Sequence, residues 1–288
     1  MERSFFLHQY RAVNIYMGKK HAQRSVMRGG NGVNMIERFP VYFSPSSDER
    51  VISVYLPRGY GDTDETYPVM YMFDGQNAFE DEVASYGKSW GLHTFMDEWQ
   101  KRMIIVGLQS SAEGDRRLAE YCPYHLAPRR WEGLRGRGRA TMDYITKTLK
   151  PMIDERYRTM PQRACTGLIG DSMGALMALY AVTAYNDVFS KAACVSPALS
   201  MCYPQMLCEC RTDEIDPDTR VYLSFGEHEA RDKRALAHMA SQSLEIANVL
   251  MTKGVRVYPY LQMDGRHCEE DWSRQTERFM HFLWLDDR

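Results

Sequence analysis

The sequence predicts an α/β fold, with a mostly parallel central sheet and helices on both of its faces. Three observations lead there. Short β-rich apolar runs alternate with helical patterns along nearly the whole chain, which is the signature of strand–helix–strand crossovers. Composition is that of an ordinary globular protein, 44% hydrophobic and 26% charged. And at residues 164–184 an apolar strand pattern runs through GDSMG directly into an apolar helix pattern.

Taken in order, FPVYF (39–43) and VISVYL (51–56), separated by SPSSDER, read as an antiparallel hairpin leading into the sheet. PVMYMF (68–73), MIIVGL (103–108), ACTGLI (164–169), AACVS (192–196), RVYLSF (220–225) and RVYPYL (256–261) follow as further strands. Helical patterns at 90–101, 138–157, 173–186, 231–252 and 270–284 lie between them and would cover both faces. The expected organisation is an N-terminal extension of unknown role, 1–35, followed by one domain over 36–288. A chain of 288 residues is long enough to bury about 75% of its unfolded surface.

Several classes of function are disfavoured. Lys and Arg number 36 against 38 Asp and Glu, a net charge of −2, which gives no general attraction to nucleic acid or to an anionic membrane. No stretch approaches the 18 apolar residues of a membrane span, and the N-terminus offers only FFL before polar residues intervene. Seven scattered cysteines without zinc spacing read as reduced thiols in a cytoplasm, and LCEC (207–210) reads as a plain loop rather than a metal or redox site. The arginine- and glycine-rich segment PRRWEGLRGRGRA (128–140) reads as a solvated loop, with RNA binding or a border to an anionic substrate as its alternatives.

Chemistry enters at GxSxG, which chance would place about 0.1 times in a chain of this size. It occurs twice, as GKSWG (87–91) and GDSMG (170–174). Only the second stands between strand and helix. A serine there occupies a strained turn, and the flanking glycines remove side chains that would collide across it. The helix start then turns its positive dipole end toward a developing oxyanion. Ser89 in the first copy follows a polar segment and reads as a loop residue or helix cap, with Trp90 packing beneath.

A serine hydroxyl needs a base, and the base a carboxylate to orient it. Of the histidines after Ser172, His238 and His281 fall in helical patterns, and His228 stands in the strand-end segment GEHE. His267 follows a strand and the turn QMDGR, at the sheet edge where such sites assemble. For the acid, Glu227, Glu229 and Asp232 all qualify by position.

VYLPRGY, YPVMYMFDGQNAF, GDRRLAEYCPY, LKPMIDERYRT, GDSMGALMALY, FGEHE and HCEEDW occur in that order over about residues 51–284. In these blocks the chain resembles the putative esterase family of α/β-hydrolases, the group of esterase D, enterochelin-type and feruloyl esterases. The resemblance implies an α/β-hydrolase fold with Ser172 as nucleophile and His267 as general base and acid. It favours Glu229, at the end of a Gly-x-x-acid turn from Gly226, as the orienting acid. It implies an oxyanion hole from the backbone amides of Met173 and Gln76, and no metal or organic cofactor. Where relatives often carry a second glycine after the elbow, this chain has Ala175. Trp90, Tyr121 and Trp131 are candidates for lining a substrate pocket. The expected activity is hydrolysis of a small-molecule carboxylic ester, with an acyltransferase on the same triad and a non-catalytic binding protein on the same fold as rivals. A homodimer is expected by analogy only.

Overall fold

The computed structural model describes residues 35–126 and 134–285. Trp131 and nearly all of the N-terminal extension lie outside them. Eight strands form one sheet: β1 (Met35–Phe43), β2 (Asp48–Leu56), β3 (Val69–Phe73), β4 (Ile104–Leu108), β5 (Thr166–Asp171), β6 (Lys191–Val195), β7 (Arg220–Gly226) and β8 (Arg256–Gln262). Their order across the sheet is β1-β2-β4-β3-β5-β6-β7-β8. β1 and β2 form the expected antiparallel hairpin, β2 meets β4 antiparallel, and every pairing from β4 to β8 is parallel. β1 starts at Met35, the last residue assigned to the extension, so the sheet claims that residue.

The central strands β3, β4 and β5 are buried along their whole length, as strands covered on both faces must be, which is why they read as unbroken apolar runs. The outer strand β8 alternates in exposure and carries Pro259, whose missing N–H an edge tolerates.

Helices cover both faces. On one side lie α1 (Leu92–Glu98), α8 (Glu269–Ser273) and α9 (Thr276–Trp284), packing Leu92, Met96, Trp272, Phe279 and Leu283 beneath the sheet. On the other lie α3 (Gly138–Tyr144) and α4 (Lys150–Arg156), joined by a π turn over Ile145–Leu149, with α5 (Ser172–Ala184), α6 (Tyr203–Thr212) and α7 (Lys233–Thr252). A short α2 (Arg116–Glu120) precedes α3. α5 is buried around its full circumference from Ser172 to Thr183, consistent with an apolar pattern that has no polar stripe. Each large side chain it inserts, Leu176 and Leu179 among them, contributes about 1.5–3 kcal/mol of burial free energy.

Two expectations are corrected. The helix foreseen over 270–284 is two helices, broken between Ser273 and Thr276. LCEC is not a loop but part of α6, with Cys208 exposed and Cys210 buried, so the two thiols point different ways as residues two apart on a helix do. Of the arginine-rich segment, residues 128–133 lie outside the described residues; its end runs into α3 where a helical pattern was expected, Arg139 of α3 pairs with Glu209 of α6, and Arg137, just before α3, donates to the Pro45 carbonyl. Among the described residues, no helix is long and apolar enough to cross a membrane.

Candidate active site

Five adjacent strands deliver their carboxyl ends to one place. β3 ends at Asp74 and Gln76, β5 at Ser172, β6 at Ser196, β7 at Glu229 and β8 at the loop that carries His267. This is the edge at which parallel sheets expose functional groups, because each crossover leaves a loop there.

The elbow has the geometry its sequence foreshadows. β5 enters it and α5 leaves it at Ser172, whose φ is +51°. A Cβ placed on Gly170 would lie 2.2 Å from the carbonyl carbon and oxygen of Gly174, and one on Gly174 would lie 2.9 Å from Cβ of Phe73. Asp74 and Ser196 also adopt left-handed backbone, each at φ +54°. Strain of this kind costs about 1–3 kcal/mol per residue and gathers where surrounding structure over-determines it. Here it gathers at three neighbouring strand ends.

His267 stands between the serine and the acid. Its Nε2 is 3.0 Å from Ser172 Oγ and its Nδ1 is 3.1 Å from Glu229 Oε2. Glu229 is held on its other side as well. Oε1 accepts from the Ser196 hydroxyl and, at 3.0 Å, from the Gly226 amide. The carboxylate side chain is 1% exposed and the imidazole 16%, so the pair is screened from bulk water while Nε2 stays reachable. The Trp272 ring meets the imidazole edge-on at 4.7 Å and limits its rotation.

The other candidates for these roles are occupied elsewhere. Glu227 pairs with Lys233 at 2.9 Å, and Asp232 caps α7 by accepting from the Ala235 amide at 2.8 Å. His228 faces Asp264, His238 contacts Gln242, and His281 packs against Trp99. Ser89 is buried, and its hydroxyl donates to Asp81 in the loop ahead of α1.

Met173 is the second residue of α5, and Gln76 lies in a single 3-10 turn over Gly75–Asn77. The side chain of Gln76 is fixed to Ser110, which donates its amide to Oε1 and accepts from Nε2, both at 3.1 Å. Asp74, just before that turn, is clamped by Arg117 of α2 through Nε at 2.7 Å and Nη2 at 2.6 Å. Its amide donates to the Tyr121 hydroxyl at 3.0 Å. Such a fork of two charge-assisted bonds fixes orientation as well as position.

Tyr121 is therefore not a pocket wall. It is 1% exposed, packed edge-on against Phe73, and supports the Asp74 turn from behind. Trp90 is likewise 4% exposed and packs on Phe279 beneath the sheet. Trp131 falls outside the described residues. Ser196, Arg117 and Trp272 were missed by sequence reasoning. Arg117 and Trp272 lie in the blocks GDRRLAEYCPY and HCEEDW, while Ser196 carries only the weak signal of ending a strand next to the elbow strand.

Under the elbow lies a group of buried acids. Burial pushes the Asp171 carboxyl well above the ordinary range, and the nearby Asp74 and Glu269 carboxylates push it the same way, against a smaller opposing pull from Arg117. The Trp90 indole also lowers it, though among the described residues its N–H falls short of hydrogen-bond geometry and Asp171 Oδ2 has no hydrogen-bond partner. Glu269, whose Oε1 accepts from Asn77, is raised by burial first and then by Asp74.

Comparison with known proteins bears on the family and the fold. The family model described as "Putative esterase" matches residues 46–279. The uncharacterized protein YbbA of Bacillus subtilis (strain 168) is 26% identical over 209 residues, which cover 71% of this chain and 79% of its own. Among solved structures, the BES protein from Bacillus cereus superposes with a TM-score of 0.68 at 18% identity, over 94% of this chain and 99% of its own. An IroE-like serine hydrolase from Shewanella oneidensis gives a TM-score of 0.68 at 20% identity, over 85% of this chain and 79% of its own. At those identities the two structures speak for the fold.

Proposed function

The chain belongs to the putative esterase family, and from that premise we propose that it hydrolyses a small-molecule carboxylic ester through an acyl-enzyme on Ser172. The observation that carries this reading is the unbroken chain of two hydrogen bonds from Ser172 through His267 to Glu229. The name of the Shewanella oneidensis neighbour, a serine hydrolase, supports it.

The steps follow from the geometry. Ser172 Oγ attacks the ester carbonyl carbon as its proton passes to His267 Nε2, and Nδ1–H of the resulting imidazolium donates to Glu229 Oε2. The carbonyl oxygen, now negative, accepts from the Met173 and Gln76 amides. The first of these belongs to the opening turn of α5, whose N–H groups have no partner inside the helix. Collapse of the adduct expels the alkoxide, which takes the proton from Nε2 and leaves as the alcohol. Water then adds to the acyl carbon, giving its proton to the same nitrogen, and the second collapse returns that proton to Ser172 Oγ and releases the acid. Glu229 keeps the imidazole oriented throughout, itself held by Ser196 and Gly226.

The test is active-site titration with a fluorophosphonate followed by peptide mass spectrometry. One adduct per chain is expected, on Ser172, and its loss in His267→Ala. A folded protein that takes no label, or takes it at Ser89, would overturn the reading.

A further inference from the structure

Glu269 opens α8 two residues beyond His267, and its side chain reaches out of its own loop to the turn that carries Gln76. Its Oε1 accepts from Asn77 Nδ2 at 3.1 Å, across 192 residues of sequence, and both side chains are buried. The amide can face only one way. Asn77 Oδ1 accepts from the Ser85 amide at 2.9 Å, and since a backbone N–H only donates, the nitrogen end is left for the carboxylate. Asn77 also closes the turn itself, its amide donating to the Asp74 carbonyl and its carbonyl accepting from the Trp90 amide, both at 2.8 Å. At the front of the turn a Cβ on Gly75 would lie 2.2 Å from the Gly107 carbonyl carbon, so backbone wedges it against β4 there. At the rear, side-chain bonds of Asn77 hold it. The loop of the base is closed in its own way. Arg266 donates its amide at 2.9 Å and its Nε at 2.8 Å to Asp271 Oδ2, and Gln262 Nε2 donates to the Asp271 carbonyl at 2.7 Å. His267 is thereby fastened to the first turn of α8, and Glu269 moves with it.

We propose that Glu269 is a positioning residue for ester cleavage, its bond to Asn77 fixing the Gln76 amide at one spacing from His267 Nε2. This rests on the ester-hydrolysing reading of the site, in which that amide holds the oxyanion. Glu269 acts through Asn77 and touches none of the reacting atoms. The base must reach Ser172 Oγ while the donor meets the oxyanion, and the two come from loops at opposite ends of the sequence. Donors aimed in advance at developing charge cost no reorganisation during the reaction, whereas a donor that drifts loses most of its effect. What the role requires of Glu269 is an acceptor at the right reach rather than a negative charge. Gln keeps that reach and loses the charge, and Asp keeps the charge and draws the acceptor back by one methylene.

Steady-state hydrolysis of p-nitrophenyl acetate by the full chain tests this, with thermal melting to establish that each variant is folded. Glu269→Asp is expected to lower kcat about tenfold with KM nearly unchanged, because the oxyanion contact is made only in the transition state. Glu269→Gln is expected to stay within about threefold of wild type, since a neutral acceptor still satisfies Asn77 Nδ2. Asn77→Ser withdraws the donor from the other side. Adding Glu269→Asp to it is expected to lower kcat no further, as two residues acting through one bond must behave. Should Glu269→Asp fail to fold, Asn77→Ser alone is expected to show the same loss of kcat at unchanged KM. A folded Glu269→Asp with the wild-type rate overturns the proposal. So does a Glu269→Gln that falls as far as Glu269→Asp, which would give the role to charge beside His267. Fluorophosphonate labelling separates the proposal from its premise. A stoichiometric adduct on Ser172 of the wild type, with kcat indifferent to Glu269→Asp, strikes only the positioning role; no adduct strikes the ester-cleaving reading and this role with it.

Discussion

Glu229 Oε2 lies 3.1 Å from His267 Nδ1 while the same carboxylate receives the Ser196 hydroxyl and the Gly226 amide on its other oxygen. That shared engagement separates Glu229 from its two sequence rivals. Glu229→Gln keeps the shape but offers Nδ1 an amide and no negative charge, so kcat on an activated ester is expected to fall by about 10²–10⁴ with little change in KM. Asp232→Ala is expected to keep its rate and lose a little stability with its helix cap. Glu227→Gln should change neither strongly, since its partner Lys233 is 76% exposed and surface pairs contribute little. Steady-state kinetics and urea melts on the three variants decide it. A rate collapse in Asp232→Ala with Glu229→Gln near wild type would move the acid.

The two GxSxG copies should also part company under glycine substitution. Gly170→Ala forces Cβ to 2.2 Å from the Gly174 backbone, with no flexible side chain to yield, and the variant is expected to lose several kcal/mol, about 4, or to be insoluble. Gly87→Ala meets nothing within 4 Å and bears only the strain of φ +70°, about 1 kcal/mol. Denaturant midpoints measure both. Equal losses would show that the elbow relaxes more than its packing suggests.

What the sequence made legible, and what it did not, follows the range of the interactions. Strands such as VMYMF and TGLIGD are covered on both faces and so appear as continuous apolar runs, and the elbow is visible because strand, turn and helix are contiguous. Ser172 and His267 could be placed because each directly follows a strand or its turn. Short helices were not legible. α2 has five residues and α6 carries a proline in its first turn, too little periodic signal in either case. The supports of the site were hidden for another reason. Ser196 reaches Glu229 across 33 residues and Arg117 reaches Asp74 across 43, and no local pattern encodes such a meeting. Trp90 and Tyr121 read as pocket residues because aromatic residues near a motif look functional, whereas their bulk is spent on packing.

Arg117 offers a test of the Gln76 turn. Its fork onto Asp74 holds the backbone one residue before Gly75, so Arg117→Gln is expected to lower kcat by about tenfold by loosening the Gln76 amide, with KM nearly unchanged. It also strands a carboxylate that is 1% exposed, at a cost of about 3 kcal/mol. Pairing it with Asp74→Asn separates the two effects: the double variant is expected to recover stability and not rate. Recovery of both would reduce Arg117 to a structural partner, and Arg117→Lys, which keeps the charge without the fork, should fall between wild type and Arg117→Gln in kcat.

Asp171 makes the sharpest claim about pH. Its carboxyl is raised well above the ordinary range by burial and by Asp74 and Glu269. In the unfolded chain it sheds its proton near pH 3.9, the ordinary value. Between there and the raised folded pKa, the native state binds the proton that the unfolded state has released. Stability on account of this residue is therefore full below the ordinary value, declines as pH rises toward the folded pKa, and is level above it. Asp171→Asn removes the titration and keeps the shape. The variant is expected to gain stability over wild type, by little at pH 4.5 and by more as pH rises toward the folded pKa. Since Asp171 touches neither Nε2 nor the acid, fluorophosphonate labelling of Ser172 should persist in the variant. Urea melts from pH 4.5 to pH 9 provide the reading. A difference that stays flat across that range would mean the carboxyl titrates alike in both states, and that Oδ2, unpartnered among the described residues, is solvated or bonded after all.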